Sequence, residues 1–279
     1  MNGIDFSNFI SIFAIMVSVS SMIAMGLCGL LALAVPVALA WWLVKKHQAR
    51  LTTILIGAGV FLVFALVLES IVHQIVLKGP HGAAILGNTW YYALYGGLAA
   101  GLFEETGRLL AMKFLLKKEP STALPGVAYG VGHGGIEMIL IFGLTMVSNL
   151  VLSVMINTGM TDTILSSVPA ETLEQVQAQF TALEEAGAGD FFLGVWERIS
   201  ALILQLGLSL MVWTAVRKGK GWTLLFPLAI LLHFLVDACA VVLSKNLSMT
   251  ATEAVIFAMA LAVGAMGKTF SNLLAGRSV

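Results

Sequence analysis

The sequence contains few charged residues and few cysteines, and both shortages restrict what it can be. Charged residues make up 11% of the 279 positions, whereas hydrophobic residues make up 59% and the mean hydropathy is +0.96. Soluble domains carry about 25% charged residues, so the composition excludes a soluble protein and predicts an integral membrane protein. The two cysteines, Cys28 and Cys239, both lie in apolar segments. We interpret them as small packing residues rather than as a disulfide or a metal-binding pair.

The chain also lacks an excess of charge of either sign. Its 15 Lys and Arg are balanced by 15 Asp and Glu, so it has no basic surplus of the kind found in nucleic-acid-binding proteins, and no nucleic acid partner is expected. Tandem repeats and low-complexity tracts are absent as well. No small-residue cleavage site follows a short N-terminal apolar core, so we expect the first segment to be retained. These absences favour a single integral membrane domain over residues 1–279.

Seven apolar stretches are long enough to cross a bilayer, for which about 20 helical residues suffice. An additional interfacial or tilted lead-in from Phe9 is expected before the first of them. We therefore predict an all-α polytopic transmembrane helix bundle with about seven spans. The predicted spans cover residues 18–44, 52–77, 90–116, 124–157, 191–216, 222–243 and 251 to about 273.

Basic residues are distributed unevenly between the segments that connect these spans. If seven helices alternate in direction, one side of the membrane receives only Lys78 and Lys245. The other side receives Lys45, Lys46, Arg50, Lys113, Lys117, Lys118, Arg217, Lys218, Lys220, Lys268 and Arg277. Since cytoplasmic loops are enriched in Lys and Arg, this predicts the N-terminus outside and the C-terminus inside. Residues 159–190 then form an extracytoplasmic acidic loop, with helical composition over 170–186.

The third span carries ionisable residues at a depth where most transmembrane helices carry none. Glu104 and Glu105 are adjacent carboxylates, and Arg108 follows them by four and three positions, so all three can share one helix flank. Such groups cost several kcal/mol in the membrane unless they are paired or face a wet cavity. We interpret the cluster as part of a buried active site.

Two other spans each carry a histidine followed four residues later by a carboxylate, which places each pair on one helix face. The pairs are His133 with Glu137 and His233 with Asp237. Counted from the basic ends of their spans, Glu104, His133 and His233 all lie roughly 18–20 Å deep at 1.5 Å per residue. One carboxylate and two imidazoles are therefore expected at one level, with Glu137 and Asp237 about one turn further out.

Hydrolysis is the chemistry that this set favours. A carboxylate withdrawn from bulk water can act as general base on a water molecule, and Arg108 would fix the pair of glutamates. Each histidine can stabilise an oxyanion, with Glu137 or Asp237 setting its tautomer. The glycines around His133 would let a neighbouring backbone or an extended substrate approach closely.

These motifs resemble an existing family. The Glu-Glu-x-x-Arg of Glu104 to Arg108, the aromatic-x-x-x-His that ends at His133 and the His-x-x-x-Asp of His233 to Asp237 resemble the ordered motifs of the CPBP superfamily, which includes the CAAX prenyl proteases and the bacteriocin-processing enzymes. Within it, the segments look most like the bacterial YhfC family of membrane peptidases. The sequence departs from the prenyl-protease pattern at two points. Two residues, rather than three, separate Glu105 from Arg108, and the aromatic residue before His133 is Tyr129 in place of Phe.

The resemblance implies a glutamate-type intramembrane endopeptidase. Glu104 would activate water, Glu105 and Arg108 would support it, and His133 and His233 would hold the water or the oxyanion. No cofactor is required by that mechanism. The expected partners are the lipid bilayer and a membrane-embedded or lipidated peptide or protein substrate, and the expected location is a bacterial cytoplasmic membrane; the oligomeric state cannot be read from the sequence.

Two other functions stay open at this point. A zinc-dependent membrane metalloprotease would use His133, His233 and Glu104 as ligands, although the sequence has no His-Glu-x-x-His helix. Buried carboxylate and histidine chains also make proton relays, so a proton-coupled transporter or a non-catalytic membrane scaffold is the third candidate. The pairs Glu69 with His73 and Glu197 with Arg198 are interpreted as structural clamps, with a gating or proton-path role left open.

Overall fold

The protein is described by a computed structural model that covers residues 16–274. All regular structure in this range is helical, which confirms the all-α prediction for the described part of the chain. The helices in order are α1 (Val19–His47), α2 (Leu51–Leu77), α3 (Gly82–Leu86), α4 (Thr89–Leu110, continued by a π-helical turn over Ala111–Leu115), α5 (Leu124–Asn157), α6 (Thr161–Ser167), α7 (Ala170–Glu185), α8 (Ala188–Lys218), α9 (Leu225–Ser244) and α10 (Met249–Asn272). The predicted lead-in over 9–15 and Arg277 lie outside the described residues.

Six of these helices are long and apolar enough to cross a membrane: α1, α2, α5, α8, α9 and α10. Helix α4 is as long as the others, but the four charged residues Glu104, Glu105, Arg108 and Lys113 lie close together in it and lower its apolar character. With α4 included, residues 16–274 form seven membrane-length helices, in agreement with the prediction of about seven spans. The start of α9 falls three residues later than predicted because Gly219 and Gly221, at φ 70° and 92°, form a turn before it.

Helix α8 occupies the centre of the bundle. In its most apolar stretch 72% of the residues are buried, against 22–28% in the other five candidate spans. It packs against α10, α5, α1 and α9, while α4 packs on α9 and α2 packs on α5. The outer helices therefore present apolar side chains to lipid, and α8 brings its polar side chains into the protein interior.

Glycines allow α5 to lie very close to three other helices. A Cβ atom at Gly132 would overlap the backbone carbonyl of Ile54 in α2. One at Gly134 would lie 3.0 Å from the Gln205 side chain in α8, and one at Gly135 would lie 2.9 Å from Pro36 in α1. The close approach predicted for the glycines around His133 is confirmed, and it places His133 at a point where several helices meet.

The acidic segment 159–190 is folded rather than extended. Helices α6 and α7 form most of it, and α7 matches the predicted helical stretch. Phe180 and Leu183 are buried in an apolar cluster with Met25 and Met146, so the segment is packed onto the end of the bundle. Cys28 is buried in the same cluster and both cysteines are free thiols, as the packing interpretation predicts.

We expect Gly132→Ala to destabilise the fold, because the rigid Ile54 backbone leaves no room for the added methyl group. The expected loss is about 1–3 kcal/mol in the free energy of unfolding, seen as a lower unfolding midpoint of the purified protein in detergent. Gly59→Ala is the matched control, since no heavy atom lies within 4 Å of its added Cβ. The close-packing interpretation fails if the two variants unfold at the same midpoint.

Candidate active site

A buried arginine holds the polar cluster together. The Arg108 side chain is completely buried in α4, and its guanidinium donates hydrogen bonds to the Glu105 carboxylate and to the Gln205 side-chain oxygen in α8. The Glu105 side chain is also fully buried. These two partners of Arg108, Glu105 and Gln205, each form further contacts with other polar residues, on opposite sides of the guanidinium.

On one side, Glu105 orients His233 of α9. The His233 Nδ1 atom lies 2.9 Å from Glu105 Oε1, and Nε2 lies 3.5 Å from Asp237 Oδ2. With Nδ1–H donating to Glu105, the ring plane of His233 is fixed by a residue of another helix. The predicted one-face arrangement of His233 and Asp237 is present, and Glu105 supplies the shorter contact.

On the other side, Gln205 and His133 hold Glu104. The His133 Nε2 atom lies 2.8 Å from Glu104 Oε2, and the Gln205 amide nitrogen donates to the same oxygen at 2.8 Å. His133 is completely buried, whereas Glu104 is 7% exposed. Four helices, α4, α5, α8 and α9, thus meet through direct polar contacts, with His133 bonded to Glu104 and His233 bonded to the adjacent Glu105.

Glu137 does not contact His133, so the prediction that Glu137 sets the tautomer of His133 is wrong. Glu137 instead accepts from Gln205 at 3.0 Å and from Arg198 at 3.2 Å. Arg198 and Gln205 of α8 lie beside this flank of α5 and donate to the Glu137 carboxylate. His133 Nε2–H donates to Glu104 instead. The Nδ1 atom of His133 has no hydrogen-bond partner among the described residues.

Two residues of α8 belong to the cluster although the sequence interpretation did not place them there. Gln205 contacts Arg108, Glu104 and Glu137. Because its amide is uncharged, a search for ionisable residues in the spans did not find it, although a polar side chain inside an apolar span was an available clue. Arg198 was predicted as a clamp with Glu197, and it does contact Glu197. Because it also contacts Glu137, Arg198 is connected to the cluster.

The second predicted clamp, Glu69 with His73, lies on α2 and contacts α4. Glu69 Oε1 and His73 Nε2 are 3.1 Å apart, and His73 Nδ1 lies 2.8 Å from the Tyr95 hydroxyl. The predicted pair therefore forms within α2, and the link to α4 is made by Tyr95, which the sequence interpretation did not include. Glu69 is also where the π-helical segment Phe61–Glu69 ends.

The cluster forms one end of a cavity of about 260 Å³ between α4, α5, α8, α9 and α10. Glu104 and His233 line it, whereas His133 is behind Glu104. The other polar side chains lining the cavity are Glu137, Glu197, Arg198, Ser200, Gln205, Asp237, Ser244, Thr252 and Glu253. A space of this size holds several water molecules at about 30 Å³ each, so water can reach the Glu104 carboxylate inside an otherwise apolar bundle.

A sequence model of the family described as "YhfC intramembrane metalloprotease" matches residues 31–259. The chain belongs to the YhfC family. It is also similar to the uncharacterized membrane protein YhfC of Bacillus subtilis (strain 168), with 38% identity over 234 residues, which is 83% of this chain and 88% of the relative. No solved structure matches the chain.

Membership of the YhfC family confirms three predictions. The resemblance to the YhfC family is correct, and the enzyme class is that of an intramembrane protease and therefore a hydrolase. The chain is an integral membrane protein, with a bacterial membrane in agreement with the Bacillus relative. All three motif segments lie within the matched residues 31–259.

The family description implies a metal ion, so the fit of the side chains to such an ion matters. Imidazoles and carboxylates are suitable zinc ligands by type. Within residues 16–274, however, no three His, Cys, Asp or Glu side chains converge on one point. His133 and His233 are each directed at a different glutamate instead, so the arrangement of donors does not fit a metal centre.

We expect Arg108→Met to destabilise the protein strongly, because it leaves the Glu105 charge buried without its partner. The expected loss is about 3–5 kcal/mol of unfolding free energy, measured by thermal or denaturant unfolding in detergent. Arg50→Met is the matched control, since that arginine pairs with Glu119 at 3.3 Å with 60% of its side chain exposed and should cost about 1 kcal/mol or less. The double variant Arg108→Met with Glu105→Gln should recover part of the loss; equal effects of the two single variants would contradict a buried ion pair.

Proposed function

We propose that this chain is an intramembrane endopeptidase of the glutamate type, in which Glu104 activates the water that attacks a peptide bond. The observation that carries the proposal is the environment of the Glu104 carboxylate. It lines a polar cavity within a helix bundle, and both of its hydrogen bonds to described residues go to Oε2. That leaves Oε1 without a protein donor and available to a water molecule.

The proposed reaction needs a base, a donor for the oxyanion and a proton for the leaving group. Glu104 accepts a proton from water as the water oxygen bonds to the peptide carbon, which gives a tetrahedral intermediate with a negative oxygen. Glu104 then returns that proton to the departing amine nitrogen as the C–N bond breaks. One water is consumed and no redox partner is needed.

The other site residues have distinct roles in this proposal. His233 lines the cavity and acts as an imidazolium: its Nδ1–H donates to Glu105, and its Nε2–H, which also faces Asp237, stabilises the oxyanion. His133 and Gln205 hold the Glu104 carboxylate in one orientation. Arg108 fixes Glu105, and Arg198 with Gln205 holds Glu137 at the cavity wall.

Unpaired buried atoms around the cluster support a water-using site. Glu105 Oε2, Arg108 Nε, Tyr129 Oη and His133 Nδ1 are buried without a hydrogen-bond partner among the described residues. Tyr129 stacks on His133 with ring centroids 5.9 Å apart, so these atoms belong to one neighbourhood. Buried polar atoms of this kind are typical binding sites for internal water.

A metal-dependent peptidase is the second candidate, and it is favoured by the family description. His133, His233 and Glu104 would be the ligands, and the ion would supply a water nucleophile at neutral pH. The two histidines contact different glutamates in this structure, so we derive no step through a metal.

The substrate is proposed to be a membrane-embedded or lipidated peptide, because the bundle is covered by apolar side chains on its outer helices. We also propose that the basic ends of the spans face the cytoplasm. The cavity runs from Glu104 toward Ser244 and Glu253, which lie where α9 ends and α10 begins, at the end of the bundle away from Lys117 and Lys220.

We expect Glu104→Gln to abolish peptide cleavage, since the amide cannot accept the proton from water. The expected fall in kcat is about 10²–10⁴-fold, measured with apolar fluorogenic peptides on the purified protein in detergent. Glu184→Gln on α7, outside the cavity, is the control and should cleave at the parental rate. Parental cleavage by the Glu104→Gln variant would remove Glu104 as the base, provided that both variants unfold at similar midpoints.

Chelation separates the two candidate mechanisms. A glutamate-type peptidase should keep its cleavage rate after dialysis against EDTA or 1,10-phenanthroline, because its base and oxyanion donor are both side chains. The measurement is the same peptide assay, combined with metal analysis of the purified protein. Loss of cleavage that returns when zinc is added would overturn the glutamate mechanism in favour of the metal-dependent one.

A further inference from the structure

We propose that the far end of the cavity is a binding subsite for a cationic group of the substrate, either a lysine side chain or a free amino end. Thr252 and Glu253 of α10 form this subsite, together with Glu197 of α8 and Ser244 of α9. It deepens the proposed peptidase function by giving the substrate class: an apolar peptide with a positive charge on one side of the bond to be cleaved.

The subsite is continuous with the catalytic cluster. The cavity that begins at Glu104 and His233 ends at Ser244, Thr252 and Glu253. A second cavity of about 490 Å³ shares Glu197 and those three end residues and continues to Asp190 at the start of α8. A substrate that enters from that end of the bundle would pass the subsite before it reaches Glu104.

The charges that line this path are strongly unbalanced. Among the described residues lining the two cavities there are six carboxylates against the guanidinium of Arg198 and the imidazole of His233. The six carboxylates are Glu104, Glu137, Asp190, Glu197, Asp237 and Glu253. Arg198 is already shared between Glu137 and Glu197, so it does not neutralise the rest. Such a lining attracts cations and repels anions.

Two unpaired side chains show where a ligand would bind. Thr252 is only 3% exposed, and its hydroxyl has no hydrogen-bond partner within residues 16–274. The neighbouring Glu253 Oε2 is likewise buried and without a partner in that range. A buried hydroxyl and a carboxylate oxygen cost free energy when left unpaired, and an ammonium group has three donors that would satisfy both.

The distance along α9 sets the position of the positive charge. From His233 to Ser244 there are 11 residues, a rise of about 16 Å in a helix. An extended peptide covers that distance in about five residues. The cationic group should therefore lie within about five residues of the cleaved bond.

Binding of defined peptides tests the subsite independently of catalysis. The probes are apolar 14-residue peptides with an uncharged fluorophore and a single lysine five residues from the centre, each compared with its acetyl-lysine form. Affinity is measured by fluorescence anisotropy with the full chain in detergent, in a Glu104→Gln background so that no probe is consumed. Empty micelles give the background signal.

We expect the lysine peptide to bind about tenfold more tightly than its acetylated form, as one charge-assisted contact implies. Glu253→Gln should reduce this preference to about one, and Thr252→Val should reduce it about threefold. Glu174→Gln, an exposed acidic residue on α7 outside both cavities, should keep the tenfold preference. A peptide with a free amino end and no lysine, compared with its N-acetylated form, shows which source of the ammonium group is preferred.

A preference near one with the parental subsite, or a tenfold preference that persists in Glu253→Gln, would overturn the subsite. The lysine comparison needs no variant, so it stands even if Glu253→Gln does not fold. Cleavage of the same peptides by the protein with Glu104 intact is measured in parallel. Selective binding without any cleavage would contradict the peptidase function but support the subsite. Cleavage without selectivity would contradict the subsite but support the peptidase function.

Discussion

The polar interior of this bundle depends on the charge of one guanidinium that is completely withdrawn from solvent. Arg108 binds Glu105 and Gln205 at once, and those two side chains orient the imidazole of His233 and the carboxylate of Glu104. A lone ion at this depth would be prohibitively costly, and a pair of glutamates beside each other would repel. The arginine pairs directly with Glu105, and through Glu105 and Gln205 it orients groups on three other helices.

The rest of the architecture follows from the need to surround that charge with partners and still admit water. Helix α8 lies in the middle of the bundle and contributes Gln205 and Arg198 to the cluster. The glycines of α5 remove side-chain bulk where His133 must reach Glu104. Three helices also depart from regular α-geometry close to the cluster, in the π-helical segments Phe61–Glu69, Ala111–Leu115 and Met138–Gly143, a feature that is frequent at functional sites.

Much of this arrangement was readable from the sequence because charge inside an apolar span is a strong signal. Glu104, His133 and His233 could be placed at one level by counting helical rise from the basic ends of their spans, and Arg108 could be placed on the same helix flank as the glutamates. Residue spacing could not show which side chains bond to each other across helices. Thus Glu137 was assigned to His133 on its own helix, whereas α8 supplies its partners, and the neutral Gln205 passed unnoticed.

The long separations within the cluster have a consequence for how the chain is made. Arg108 and Gln205 are 97 residues apart, and Glu105 and His233 are 128 apart. At roughly 5–20 residues per second, α4 leaves the ribosome several seconds before α8 and α9 are synthesised. During that interval Arg108 and Glu105 have each other but lack Gln205 and His233, so the full set of contacts forms only when the C-terminal third of the chain is made. A truncated chain that ends before α8 would therefore keep the ion pair within α4 and lose its contacts with those two helices.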